Sequence, residues 1–469
     1  MFYFCSMQTP LSADFLTDLR QWLGPDELLT EQLEAFASDE TEDFVFMPWV
    51  AALPASAEAV AGVLAVCNKY AVPVTTRGAG TGLSGGALPV QGGLVLDTRK
   101  LNRILNIDTE NLQATVEPGV VTQVFQEAVQ AVGLYYPPDP SSRGSCSLGG
   151  NLAESAGGPH AVKYGTTKDY VLNVEVALPD GRLIWTGANV LKNATGYNLT
   201  QLMVGSEGTL GVITKVVFRL IPYPAHNLLM LVPFASLEAA CAAVSAIFKA
   251  GITPSALEFM ERNAIEWAAR YLNQAIDLPE GVEAHLLIEL DGNQPEPLFA
   301  EAEQLYALLE SLGAGEVQLA EAEHQKAQLW KLRRNVAHAV KANSVYKEED
   351  TVVPRAQLPQ IIQHVKAVGA KYGFESVCYG HAGDGNVHVN IIRGELSDEA
   401  WETTVRKGIR EIFAEVYRLG GTISGEHGIG LVQQEYLDLV FQPVHFELMR
   451  GIKKVFDPQG ILNPGKMGL

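Results

Sequence analysis

Cysteine is scarce, and its spacing carries no pairing pattern. Cys5, Cys67, Cys146, Cys241 and Cys378 are scattered, odd in number and include no CxxC pair. That excludes a zinc ribbon and the ligand run of an iron–sulfur cluster, and it predicts reduced thiols in a cytoplasmic protein. Positive charge is also in deficit: 34 Lys and Arg against 54 Asp and Glu give a net charge of −20. Such a surface disfavours nucleic acid and anionic lipid as general partners, yet it leaves room for a local basic pocket that takes a small anion. No apolar run reaches about eighteen residues, so no transmembrane segment is expected. The apolar start Met1–Cys5 lacks a basic n-region and a full h-region, and no signal peptide is predicted. Internal repeats and low-complexity linkers are missing too.

What is present is globular in composition. The chain has 469 residues, 47% hydrophobic and 19% charged, enough for two or three domains. Residues 11–42 read as polar helical material. From Phe44 to about Pro224, short β-rich runs such as Val72–Thr76, Gly93–Asp97, Ala114–Glu117 and Val174–Leu178 alternate with glycine turns. Helices fit at Ser56–Tyr70 and Val121–Val132. After Pro222-Tyr223-Pro224 the pattern becomes strand Leu228–Phe234, helix Ser236–Lys249, strands Ser255–Met260 and Glu283–Leu290, and helix Glu296–Leu312. This predicts an α+β chain whose second part is an antiparallel sheet with helices on one face. The expected divisions are an N-terminal helical segment over 1–43, domains over 44–224 and 225–440, and a C-terminal segment over 441–469.

One loop carries the first functional signal. Arg77-Gly78-Ala79-Gly80-Thr81-Gly82-Leu83-Ser84-Gly85-Gly86 follows an apparent strand. Its glycines let successive amides turn toward one concavity that suits phosphate oxygens. Gly80-x-Gly82-x-x-Gly85 satisfies the dinucleotide fingerprint, but that motif must open a helix. Here Pro89 and Gly92-Gly93 follow, then another strand, so the loop is expected to join two strands. An ordinary glycine-rich hairpin is the alternative. Further small-residue clusters weigh against it: Pro137–Ser142, Gly149-Gly150-Asn151, Ser155–Gly158, Lys163-Tyr164-Gly165 and Gly205–Gly211. Together they suit a long ligand threaded against backbone, such as a flat ring system with a dinucleotide tail.

These motifs in this order resemble the vanillyl-alcohol-oxidase superfamily, with its PCMH-type FAD-binding domain. The chain is similar in particular to the D-2-hydroxyacid dehydrogenase branch, over about residues 40–469. The resemblance implies a PCMH-type FAD-binding domain of two α+β subdomains, followed by a substrate or cap domain. It implies that Arg77, Gly78, Ala79, Gly80, Thr81, Gly82 and Ser84 cradle the pyrophosphate. Pro138, Asp139, Ser141, Gly150, Asn151, Ser155, Gly158, Glu207, Gly211 and Ile213 would line the remaining FAD. Some relatives attach flavin to a loop histidine; residues 77–86 contain none, so non-covalent FAD is expected.

The second constellation is Tyr379-Gly380-His381-Ala382-Gly383-Asp384-Gly385-Asn386-Val387-His388-Val389-Asn390, a hairpin signal. If residues 383–386 form the loop, His381 and His388 face each other with Cβ atoms about 5 Å apart. Ser424-Gly425-Glu426-His427-Gly428 then adds a carboxylate and a third imidazole. His381, His388 and Glu426 supply the donors of an open divalent site, although two cross-strand histidines beside a surface turn would read the same way. The resemblance implies a divalent metal there, commonly zinc. It leaves His427 as general base, or else as a turn residue that supports Glu426. It also implies that Arg333, in Trp330-x-x-Arg333, grips a substrate carboxylate, with Lys347 as second cation and Asn386 as a further substrate contact. Arg334 and Glu348-Glu349 depart from the family pattern and leave selectivity open.

The function expected is FAD- and metal-dependent oxidation of a small 2-hydroxy acid, D-lactate or glycolate first and D-2-hydroxyglutarate as the alternative. Electrons would pass to a quinone, an electron-transfer flavoprotein, a cytochrome or a separate iron–sulfur subunit. A position at the inner face of the membrane stays open. A metallohydrolase and a non-catalytic flavin subunit are readings from other classes.

Overall fold

The strand–loop–strand expected around the glycine-rich loop is what the chain adopts. In the computed structural model, which describes residues 2–3, 11–41, 44–274, 276, 278–320 and 322–469, strands Val74–Arg77 and Leu94–Asp97 are parallel neighbours. No helix lies in the residues that join them. Cys5 and the remainder of the Met1–Cys5 run, apart from Phe2-Tyr3, lie outside the described residues.

The chain divides into two compact units. The first comprises residues 1–157, 166–223 and 426–469. One of its sheets has four strands in the order Leu28–Leu29, Val50–Ala52, Leu94–Asp97, Val74–Arg77. Helix Ala57–Tyr70 carries the chain from Val50–Ala52 to Val74–Arg77. Ser56 caps it by accepting the Ala59 amide at 3.1 Å, and Ala71 ends it in the left-handed conformation. The helix is buried along most of its length, and Val60, Val63, Leu64 and Cys67 share a core with Val50, Val74, Leu94 and Leu96. Ala51 and Val95 join a separate cluster with Leu33 and Phe36, so strands Val50–Ala52 and Leu94–Asp97 are buried on both faces, which explains their apolar runs. The C-terminal tail returns to the same sheet: Val74 donates to the Ile461 carbonyl and Asn463 donates to the Val74 carbonyl, both at 2.7 Å. A second, five-stranded antiparallel sheet runs Leu183–Trp185, Val171–Ala177, Val212–Arg219, Gln113–Val116, Ile104–Asp108.

The second unit comprises residues 158–165 and 224–425. Its seven-stranded sheet is antiparallel throughout, in the order Gln318–Ala320, His226–Phe234, Ala284–Gly292, Ala256–Glu261, Glu375–Gly380, Asn386–Ile392, Tyr346–Val352. The helices expected on one face cover both. Glu258 pairs with Arg333 of helix Glu323–Arg334, whereas Glu261, three positions on, pairs with Lys366 of helix Leu358–Tyr372. Side chains alternate across a strand, so residues three apart point to opposite faces. The Glu258 face carries Leu229, Leu231, Met260, Leu287, Val377 and Tyr379, which pack with Ala264, Trp330 and Val340. Both faces therefore present apolar side chains, which a single helical layer could not have buried.

Candidate functional site

In the first unit, the glycine loop runs past the start of helix Leu148–Glu154. A Cβ on Gly78 would stand 2.5 Å from Ser147 Oγ and 3.5 Å from the Gly150 amide, so a side chain there would displace the Ser147 hydroxyl from this position. Gly80 has φ +74°, and a side chain there would run into the Arg77 guanidinium. Around this cleft, buried polar atoms lack hydrogen-bond partners among the described residues: Thr76 Oγ1, Arg77 Nε and Nη1, and Ser84, Ser147 and Ser155 Oγ. Buried donors without acceptors are costly, and so many near one glycine-lined cleft is what a phosphate-bearing ligand would satisfy. The residues present therefore fit the pyrophosphate of FAD.

The other candidate cofactor residues are spread over several segments. Gly150 and Asn151 lie on the helix beside the loop, and Ser155 ends that helix in the left-handed conformation at φ 57°. Asn151 Nδ2 is committed to Thr122 Oγ1 at 2.7 Å. Ala79 and Gly82 are exposed, while Thr81 is half-buried. Pro138 and Asp139 are buried and Ser141 is exposed; the Pro138 carbonyl accepts from Gln126 Nε2 at 2.9 Å. Gly211 precedes strand Val212–Arg219, where Ile213 pairs with Val176. Gly158 opens the short segment that belongs to the second unit.

Glu207 does something the sequence did not announce. Its carboxylate accepts the amides of Ile429 and Gly430 at 2.8 and 2.7 Å, within the turn that carries His427. Burial raises its pKa, opposed by those two amides, and burial raises that of neighbouring Glu154 well above the ordinary carboxylate value. Lys466, fully buried beside them, donates to the Gly86 carbonyl at 2.7 Å and to Asn463 Oδ1 at 2.6 Å, and burial lowers its pKa to about 7. Glu426, at the head of the same turn, lies against Gly157, where a Cβ would stand 2.9 Å from its Oε2. His427 is half-buried.

In the second unit, His381 and His388 come together, though not in the expected register. Tyr379, not His381, faces His388 across the hairpin. The connection occupies residues 381–385 and contains a short 3-10 turn, Ala382–Asp384, so His381 stands just beyond its strand. Gly385 closes the turn at φ +81°, where a Cβ would overlap the Val353 carbonyl. The two imidazole rings nonetheless lie 5.4 Å apart, near perpendicular. His381 Nδ1 is 2.8 and 3.0 Å from the two oxygens of Glu258. His388 Nδ1 is 3.4 Å from Glu348 and 3.7 Å from Asp350. Imidazoles whose Nδ1 faces a carboxylate present Nε2 outward, the arrangement usual in metal ligands.

Arg333 is 3% exposed; its Nη2 lies 2.6 Å from Glu258, and its plane stacks at 5.0 Å over Tyr379. Its buried Nε–H has no acceptor among the described residues. Lys347 lies 3.8 Å from Glu402 and over the Trp401 ring. Asn386 Nδ2 donates to Asp350 Oδ1 at 2.6 Å and to the Thr351 carbonyl at 3.0 Å, while its buried Oδ1 has no hydrogen-bond partner among the described residues. The same Asp350 takes the amide of Gly425 at 2.7 Å, so this pair fixes the chain immediately before Glu426. Asn390, two residues beyond His388 on the same strand face, is fully buried with neither side-chain atom hydrogen-bonded among the described residues.

Comparison with known proteins decides the family. Residues 223–467 match the FAD linked oxidases, C-terminal domain, and residues 48–187 match an FAD binding domain. The chain belongs to the FAD-linked oxidases. It is 38% identical to glycolate oxidase subunit GlcD of Bacillus subtilis over 92% of this chain and 91% of that one. It is 39% identical to D-lactate dehydrogenase of Archaeoglobus fulgidus, over 92% and 95%. D-2-hydroxyglutarate dehydrogenase of Xanthomonas citri is 33% identical over 96% of each chain. Among solved structures, p-cresol methylhydroxylase with substrate bound superposes with a TM-score of 0.80 at 21% identity, over 97% and 96%. The fold is thus the PCMH-type FAD-binding fold, α+β, and the protein is an FAD-linked oxidoreductase. No helix among the described residues is long and apolar enough to cross a membrane.

Proposed function

We propose that this FAD-linked oxidase removes two electrons from a D-2-hydroxy acid and yields the 2-oxo acid. D-lactate and glycolate are the favoured substrates and D-2-hydroxyglutarate the alternative. The observation that carries this reading is Arg333: a buried guanidinium beside an imidazole pair, with an Nε–H that no described residue accepts. A substrate carboxylate would satisfy it, since a planar fork suits two oxygens. Lys347 supplies the second positive charge.

His427 takes the hydroxyl proton as general base. His381, His388 and Glu426 would hold a divalent metal, zinc by preference, and such a metal supplies a lowered hydroxyl pKa. FAD, held non-covalently by the loop at 77–84, supplies the hydride acceptor at N5. The hydrogen-bonded Nδ1 of His381, the carboxylate of Glu348 3.4 Å from His388 Nδ1 and the anchoring of Gly425 by Asp350 support the metal set. Four described cysteines are free and buried, which supports a reducing, cytoplasmic setting and an acceptor outside this chain: quinone, electron-transfer flavoprotein, cytochrome or a separate iron–sulfur subunit.

The test is anaerobic. Addition of D-lactate, glycolate or D-2-hydroxyglutarate should bleach the flavin bands, and His427→Ala or a chelator should abolish the bleaching. Yellow protein that none of the three reduces would leave a non-catalytic flavin subunit.

A further inference from the structure

Glu258 is wholly buried on the central strand Ala256–Glu261, and its carboxylate meets His381 and Arg333. One oxygen is 2.8 Å and the other 3.0 Å from His381 Nδ1; the second is also 2.6 Å from Arg333 Nη2. A carboxylate there carries a large desolvation cost, which strand packing alone would not require, since a hydrophobic residue fills such a position at no such cost. We propose that Glu258 is a positioning residue that orients both halves of the substrate site at once. By accepting from His381 Nδ1–H it fixes the tautomer that turns Nε2 toward a metal. By pairing with Arg333 Nη2 it holds the guanidinium over Tyr379, with Nε–H left for a carboxylate. The proposal rests on the functional reading above and adds a residue that neither the glycine motifs nor the histidine hairpin points to. Because one side chain serves both groups, its loss should weaken metal binding and carboxylate binding together.

The experiment uses the full-length FAD-loaded protein and two probes that need no turnover. Zn2+ affinity is read by competition with a chromophoric chelator. Oxalate, an anion with no α-hydrogen, is titrated at saturating Zn2+ and read by its perturbation of the flavin spectrum. Glu258→Gln should retain the flavin bands, weaken Zn2+ by about 10–100-fold and weaken oxalate by a similar factor. Arg333→Lys should weaken oxalate and leave Zn2+ affinity within about twofold, a split that general loosening of the sheet would not produce. If Glu258→Gln does not fold, Glu258→Asp keeps the charge but withdraws it by one methylene, and the same paired losses are expected. Wild type that binds both probes, with a folded Glu258 variant that binds them equally well, overturns the proposal. Wild type that binds neither probe overturns the reading of the site itself.

Discussion

Glu207 holds the backbone of Gly430 at 2.7 Å, and its other oxygen holds Ile429 at 2.8 Å. One buried carboxylate therefore fixes the turn two and three residues beyond His427. Hydrogen bonds to a charged group contribute about 1.5–3 kcal/mol each. Glu207→Gln keeps one acceptor oxygen and should lower kcat for the hydroxy acid by about tenfold, one such bond's worth, while FAD stays bound. Glu207→Ala should lose more and destabilise the fold. Stopped-flow reduction of the flavin measures the effect; an unchanged rate would mean that the turn holds itself.

The glycine loop makes a second prediction, about cofactor content. Gly78→Ala places a methyl 2.5 Å from Ser147 Oγ, so the Ser147 hydroxyl must turn out of the cleft or the loop must shift. Purified Gly78→Ala should show a several-fold lower ratio of flavin to protein absorbance. Gly82→Ala is the informative contrast, because among the described residues, its two chain neighbours apart, no atom lies within 4 Å of the added carbon. Loss of flavin in that variant would report the cofactor's own approach to the backbone.

These two loops also show what could be read from the sequence. Residues 77–86 state their structure locally: a strand, then glycines, then Pro89 where a helix would have to run. Helix starts such as Ser236 before Leu237–Lys249 were equally local, through the capping side chain. The hairpin register was not, because its turn is set by the Val353 carbonyl against Gly385, thirty-two positions away in the chain. Glu258 and Glu207 were invisible for the same reason. Each is a single carboxylate in an apolar stretch, and only folding shows that it meets His381 and Arg333, or the amides after His427. Asn386 and Asn390 were both visible, but only folding shows that Asn386 Nδ2 is taken by Asp350 of the neighbouring strand.

Arg333→Lys tests the carboxylate grip by kinetics. Lysine keeps a positive charge for Glu258 but removes the fork and the Nε–H that faces no acceptor. KM for D-lactate should rise by about 100-fold, with kcat lowered by less than tenfold, if the contact is made equally in ground and transition states. Unchanged KM and kcat would place Arg333 away from the substrate carboxylate. Arg333→Ala is the poorer probe, since it strands the buried Glu258 charge and would cost about 3–5 kcal/mol of stability.

His285 gives a pH dependence that is separate from catalysis. Its ring is buried between Pro233 and Met260 on the neighbouring strands, and its Nδ1 has no partner among the described residues. Burial first, and the nearby Arg262 charge second, lower its pKa from 6.5 to about 4. Between those two values the unfolded chain binds a proton that the folded chain refuses. Stability is therefore intact above pH 6.5 and falls as the pH drops toward 4, with a slope that approaches about 1.4 kcal/mol per pH unit. Carboxylates titrate over the lower part of the same window, so the wild-type curve alone does not isolate the histidine. His285→Gln removes only this proton. The stability difference between wild type and His285→Gln, from urea unfolding followed between pH 7.5 and 4.5, should shift steadily against wild type as the pH falls. A difference that stays constant across that window would show that His285 is protonated in the folded protein.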